Sequence, residues 1–152
     1  MGMGHVPQDP IHSLGEGSQF QRRERRRAAL RRHSRSDSLA TQRLARARWA
    51  EQRAASWYRE HGYEIVAMNW TMRGGELDVV ARRGNVIVVC EVKARASNAY
   101  GTPLEAMTQV KQERVRRAGF AFVRQLNERG LRIRFDVATM LGTTLEIYED
   151  AF

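Results

Sequence analysis

Beyond residue 43 the chain alternates between apolar stretches of two distinct periods. From Leu44 to His61, alanines and aromatics recur at Ala47, Ala50, Ala54, Trp57 and Tyr58, the spacing of one helix face, and Gly62 supplies a stop. Tyr63 to Trp70 alternates loosely and predicts a strand. Arg73-Gly74-Gly75 turns the chain, and Glu76–Arg82 and Val86–Ala94 predict two strands around the Gly84-Asn85 break, a hairpin signal. After a polar loop over 95–101, Thr102-Pro103-Leu104-Glu105 predicts a helix start. Thr102 can cap, Pro103 suits the first helical position, and Glu105 is spaced for a capping box. That helix should reach about Glu128 and stop at Gly130. Arg132–Met140 predicts a strand with Ile133, Phe135 and Val137 on one face, and Gly142-Thr143 turns into a last strand, Thr144–Tyr148. The order αβββαββ contains no internal repeat and predicts one α/β domain over 43–152.

Residues 1–42 have a different character. They carry Gly, Ser, Gln, two of the three prolines and the block Arg22-Arg23-Glu24-Arg25-Arg26-Arg27, with few apolar residues to offset the entropy of ordering. The expectation is a disordered basic leader, with a nucleic-acid-binding arm as the sharper alternative. The formal net charge of +9 favours anionic partners, nucleic acid before an anionic membrane surface. No stretch is apolar enough to span a membrane, and the N-terminus lacks the hydrophobic core of a secretory signal. Asp9, Glu16, Glu24 and Asp37 weigh against a transit peptide. The single cysteine, Cys90, lies inside an apolar run and reads as a small buried hydrophobe. It leaves no disulfide or cysteine–zinc site, so a reducing, cytoplasmic setting is expected.

The hairpin concentrates charge. A two-residue turn at Gly84-Asn85 opposes Arg83 to Val86; counted outward, Asp78 faces Glu91 and Glu76 faces Lys93. Residues two apart share a face, so these four charges line one side of the ribbon, and Leu77, Val79, Cys90 and Val92 line the other. Carboxylates directly opposed on adjacent strands repel. A divalent cation between them removes that penalty, and hard oxygen ligands suit Mg²⁺ or Mn²⁺. A register shift, or neutralisation by lysine alone, is the alternative.

Helix phase adds two residues. At about 100° per residue, Glu51 falls within the arc of Ala47, Ala54, Ala55 and Tyr58 and should point toward the sheet. Lys111 falls inside the stripe of Leu104, Met107, Val115, Ala118 and Phe122. Singly, each reads as an edge residue reaching for solvent. Together they flank a sheet that already gathers carboxylates and a lysine. Of the 26 basic residues only Lys93 and Lys111 are lysines, the compact, tunable cation that catalytic sites use where arginine serves as a clamp.

Such a cluster suits hydrolysis of a phosphodiester. Asp78 and Glu91, with the Val92 backbone carbonyl, would hold the metal, which lowers the pKa of a bound water. Lys93 would orient that water or stabilise the transition state. Glu51 would bind a second metal or relay a proton, and Lys111 would contact the scissile phosphate or hold a carboxylate in place. Arg73, Arg95, Arg114, Arg116 and Arg117 would grip the flanking backbone.

An acidic residue followed by (Asp/Glu)-x-Lys on a hairpin, here Asp78 and then Glu91-Val92-Lys93, resembles the signature of the restriction-endonuclease-like superfamily. More closely, the chain resembles the small bacterial YraN-type family, related to archaeal Holliday-junction resolvases. The resemblance runs from about Arg46 to Phe152. It includes Glu51, Gly62-Tyr63, Asn69-Trp70, Gly75-Glu76-Leu77-Asp78-Val79-Val80, Tyr100-Gly101, Lys111, Phe135-Asp136-Val137 and Ala151-Phe152. It implies a restriction-endonuclease-like core with a mixed central sheet flanked by helices. It further implies a metal-dependent nuclease acting on DNA, with branched or structured DNA as candidate substrate and a homodimer as candidate assembly. The alternative is a non-catalytic nucleic-acid-binding module on the same fold. Members have Gly-x-x-Gly-Glu where this chain reads Ala47-Arg48-Trp49-Ala50-Glu51, a departure expected to alter helix packing and the reach of Glu51.

Overall fold

Neither glycine nor proline occurs between Ser18 and His61, and arginine, alanine, leucine, glutamine and glutamate dominate that stretch. All are good helix formers. A computed structural model, which describes residues 16–95 and 107–152, accordingly carries one helix, α1, over Glu16–Glu60. Composition had suggested disorder up to residue 42. The described side chains over 21–42 are indeed exposed, but the backbone from Glu16 is helical, in keeping with a composition of good helix formers. The chain divides between Gln42 and Arg43 into two units.

In the second unit, five strands form one sheet in the order β1-β2-β3-β4-β5: β1 Glu64–Met72, β2 Gly75–Arg83, β3 Val86–Arg95, β4 Arg132–Leu141 and β5 Thr144–Tyr148. Neighbours are antiparallel except β3 and β4, which run parallel and are joined through helix α2, Gln109–Leu126. The sheet is therefore mixed. Two-residue turns at Arg73-Gly74, Gly84-Asn85 and Gly142-Thr143 close the hairpins, with Arg83 opposite Val86 and Leu141 opposite Thr144.

Helices cover both faces of the sheet. On one, Ala54, Ala55 and Tyr58 of α1 pack against Val79, Ala81, Val88, Cys90 and Ala138. On the other, Val115, Ala118 and Phe122 of α2 pack against Val80, Ile87, Val89 and Phe135. Leu77 joins this second cluster and not the one shared by Val79, Cys90 and Val92, so its expected side is corrected. Helix α2 also starts later than expected. Thr108 is its N-cap, its side chain accepting the Lys111 N–H, and Asn127 in the left-handed region ends it before Gly130. Thr102, Pro103, Leu104 and Glu105, like Tyr100-Gly101, lie outside the described residues.

A buried polar knot fixes the C-terminus. Asp136, fully buried on β4, accepts hydrogen bonds from Tyr58 Oη at 2.6 Å, from the Asp150 N–H at 3.0 Å, and from Arg134 through both carboxylate oxygens. The Ala151 N–H donates to the Phe135 carbonyl, and Phe152 lies against the Phe135 ring. The sequence motifs at 135–137 and 151–152 thus serve architecture.

Candidate functional site: a carboxylate–lysine cluster where two strands part

The β2–β3 ladder keeps the expected register from Arg83 opposite Val86 up to Val79 opposite Cys90, and there it stops. Asp78 and Glu91, and likewise Glu76 and Lys93, are not ladder partners. Instead Asp78 Oδ2, in place of a backbone carbonyl, accepts the Val92 N–H at 2.8 Å. The side chain substitutes for the next rung, and β2 and β3 separate beyond it. Lys93 is paired in register with Thr139 of β4, not with Glu76.

Around this point gather most of the residues expected. Glu91 is 4% exposed. Its Oε1 receives both lysines, Lys93 Nζ at 2.9 Å and Lys111 Nζ at 3.0 Å. Lys111 arrives from α2, whose buried face carries Val115, Ala118 and Phe122, and turns toward the sheet as helix phase predicts. Glu91 Oε2 is buried with no hydrogen-bond partner. Among the described residues this is an orphaned anionic oxygen beside a second carboxylate, the situation that costs most in a protein interior.

The electrostatics say the same. Burial first, then the neighbouring Glu91 charge, push the Asp78 carboxyl up to about 7; Glu51 adds to the rise, while the Val92 N–H and Lys111 oppose it. Burial alone would lower the Lys111 ammonium, but its hydrogen bond to Glu91 and the surrounding carboxylates raise it above the usual lysine value. Glu51 lies close enough to act on Asp78, yet its Oε2 accepts from Asn69 Nδ2 at 3.0 Å. Ala50 is fully buried and Trp49 is 41% exposed.

Asn69 was overlooked as a site residue. It adopts φ of 51° inside β1, and the β1–β2 pairing skips it, passing from Met68 opposite Val79 to Trp70 opposite Leu77. Asparagine tolerates the left-handed region better than other non-glycine residues, so a lone Asn within an apolar strand was the available signal.

Two cavities adjoin the cluster. One, of about 650 Å³, is lined by Thr71, Met72 and Glu76, the Gly74-Gly75 turn, and Lys111, Arg114, Val115 and Arg117 of α2. The other, of about 420 Å³, is lined by Arg43, Arg46 and Ala47 of α1 and Val92, Lys93 and Ala94 of β3. Of the arginines expected to grip a backbone, Arg114 and Arg117 line the first cavity. Arg116 instead stacks over Phe152, 5.6 Å from the ring centroid, and Arg73 and Arg95 line neither.

As to a metal, no group of three or more His, Cys, Asp or Glu side chains with ligand geometry occurs among the described residues. The donor set is two carboxylates, one with an unsatisfied oxygen. That fits a hard cation which keeps several of its waters. No described helix is long and apolar enough to cross a membrane.

The fold and cluster define an α/β protein whose mixed five-stranded sheet opens at a carboxylate–lysine site. Residues 50–140 match the family described as uncharacterised protein family UPF0102, and the chain belongs to that family. This is the YraN-type family. A UPF0102 protein of Rhodococcus opacus is 40% identical over 114 residues, covering 72% of this chain and 97% of its own length. One of Acidothermus cellulolyticus is 38% identical over 128 residues, 74% of this chain and 97% of the relative. One of Leifsonia xyli is 50% identical over 70 residues, 46% of this chain and 59% of that protein.

Proposed function

We propose that the chain is a metal-dependent nuclease on a restriction-endonuclease-like core, hydrolysing DNA phosphodiester bonds, with branched or structured DNA as the favoured substrate and the cytoplasm as its setting. The observation that carries the reading is the unpartnered, buried Glu91 Oε2 beside an Asp78 carboxyl pushed up first by burial and then by the Glu91 charge. Such a pair is poorly arranged for structure and well arranged for a cation. Asp78 and Glu91 would hold Mg²⁺ or Mn²⁺ together with the Val92 carbonyl. When bound, that ion supplies charge neutralisation at the phosphate and an acidified water.

The remaining roles belong to the chain. Lys111 is bonded to Glu91 and holds the carboxylate in place. Lys93 is tethered to the same oxygen and 26% exposed at its side chain, so its ammonium reaches both the carboxylate and the opening, where it stabilises negative charge developing on the phosphate. Glu51, fixed by Asn69, provides a further acceptor near Asp78 for a proton or a second ion. The test is incubation of purified protein with linear, nicked, flapped and four-way DNA in Mg²⁺ or Mn²⁺. Cleavage that EDTA and Asp78→Ala both abolish supports the reading; no cleavage of any of these DNAs with either metal defeats it.

One observation favours a second reading, a non-catalytic nucleic-acid-binding module. Lys93 and Lys111 already close an ion-paired triad on Glu91. Under that reading DNA binding is salt-sensitive, indifferent to chelator and unchanged by Glu91→Gln.

A further inference from the structure

We infer that the cluster sits midway along a track for one continuous nucleic-acid strand, with Arg43 and Arg46 holding backbone phosphates on one side of the cut and Arg114 and Arg117 on the other. The cut itself rests on the nuclease reading; the track does not. Its key feature is what links the two cavities. Lys111 lines the larger cavity and Lys93 the smaller, and both ammonium groups converge on the same Glu91 oxygen. Glu91 is therefore the junction between two arginine-lined spaces.

Each space has the chemistry of a phosphate path. In the larger, Lys111, Arg114 and Arg117 recur every three residues on α2. At about 1.5 Å per residue they form a row roughly 9 Å long, more than the roughly 3.4 Å that one nucleotide advances along a duplex axis, so the row faces more than one phosphate. With Lys111 paired to Glu91, Arg114 and Arg117 still outnumber the one carboxylate of the lining, Glu76. The turn keeps α2 close: a Cβ at Gly75 would lie 3.0 Å from the Ala118 Cβ, and Arg117 Nη2 donates to the Gly74 carbonyl at 3.3 Å. In the smaller space Arg43 and Arg46 stand beside Lys93 and the strand end at Ala94. Arg43, Arg46, Arg114 and Arg117 are all exposed, so their guanidinium groups reach a ligand without first being desolvated. A site that leads into cationic space on both sides accepts the interior of a strand. The substrate is an internal phosphodiester, and the cut is endonucleolytic.

The experiment uses the full chain in EDTA with a labelled single-stranded oligonucleotide, its affinity measured across salt concentrations. Each phosphate contact on a single strand contributes about 0.7 to the log–log slope. Arg43→Gln/Arg46→Gln and Arg114→Gln/Arg117→Gln should each lower the slope by roughly 1.4 on that scale, whereas Arg116→Gln should leave it unchanged. The corresponding Arg→Lys variants should retain the slope, which separates lost charge from lost folding. A loss confined to one pair, or an equal loss with Arg116→Gln, overturns the track. Covalently closed single-stranded circles in Mn²⁺ supply the second arm. Cleavage of circles supports the internal cut, and trimming of linear ends alone overturns it. Slopes that fall as stated without cleavage of any DNA leave the track standing and remove the nuclease reading.

Discussion

Asp78 is poised by position. Its carboxyl is half-buried and, through burial and the nearby Glu91 charge, pushed up to about 7, against roughly 3.9 for an ordinary aspartate. Between those values the folded chain holds a proton that the unfolded chain has released, so stability falls as pH rises through this window. Thermal melting in chelator should therefore show a drop from pH 4 to 7 that Asp78→Asn lacks. Mg²⁺ or Mn²⁺ should restore stability at pH 8 and do little at pH 5, where the proton competes. Identical pH profiles for the two proteins would refute this. A second prediction concerns Asn69, whose φ of 51° strains a branched side chain. Asn69→Val should lower stability by about 1–2 kcal/mol in denaturant unfolding, and Asn69→Gly by much less. Residue positions were legible where they depend on local parity. Strand alternation placed Glu91, and helix phase placed Lys111. Asn69 was hidden because its role lies in a backbone angle. The Asp78–Val92 bond was hidden because pairing arithmetic cannot say where a ladder ends.

At the scale of elements, α2 owes its position to a glycine. A Cβ at Gly119 would lie 2.9 Å from Phe135 Cε1 and 3.0 Å from Ile133 Cδ1, so a methyl group here would force those β4 side chains to shift. In a free helix Gly→Ala gains about 1 kcal/mol. Here Gly119→Ala should instead destabilise by roughly 1–3 kcal/mol, because the core must shift to admit the methyl group. A gain in melting temperature would contradict the contact. The same helix carries Lys111 and Arg114, so the packing that fixes α2 also fixes the site's cations. All five strands were readable from alternation and glycine turns. The start of α2 was not: Thr102 and Pro103 offered a local cap signal, whereas Thr108 is the cap of the described helix. Nor was the backward extent of α1, since polar composition measures burial and helix propensity does not require it.

At the scale of the molecule, both apolar clusters are built from residues 54 and beyond. Deleting residues 1–42 should therefore leave the melting temperature within a few degrees of the full chain, while removing eight arginines and with them part of the salt-dependent DNA affinity. A collapse in stability would show that the domain needs its basic helix. What divides the two readings of the domain is whether Lys93, tied to Glu91 at 2.9 Å, does chemistry or only neutralises charge. The deciding measurement is a Mn²⁺ titration of DNA cleavage, on flapped and four-way substrates, by wild type and Lys93→Ala. The nuclease account predicts metal-dependent cutting by wild type and a loss of about 10²–10³-fold in Lys93→Ala, with DNA affinity largely kept. Equal rates in the two proteins, or binding without cutting at every metal concentration, would contradict it.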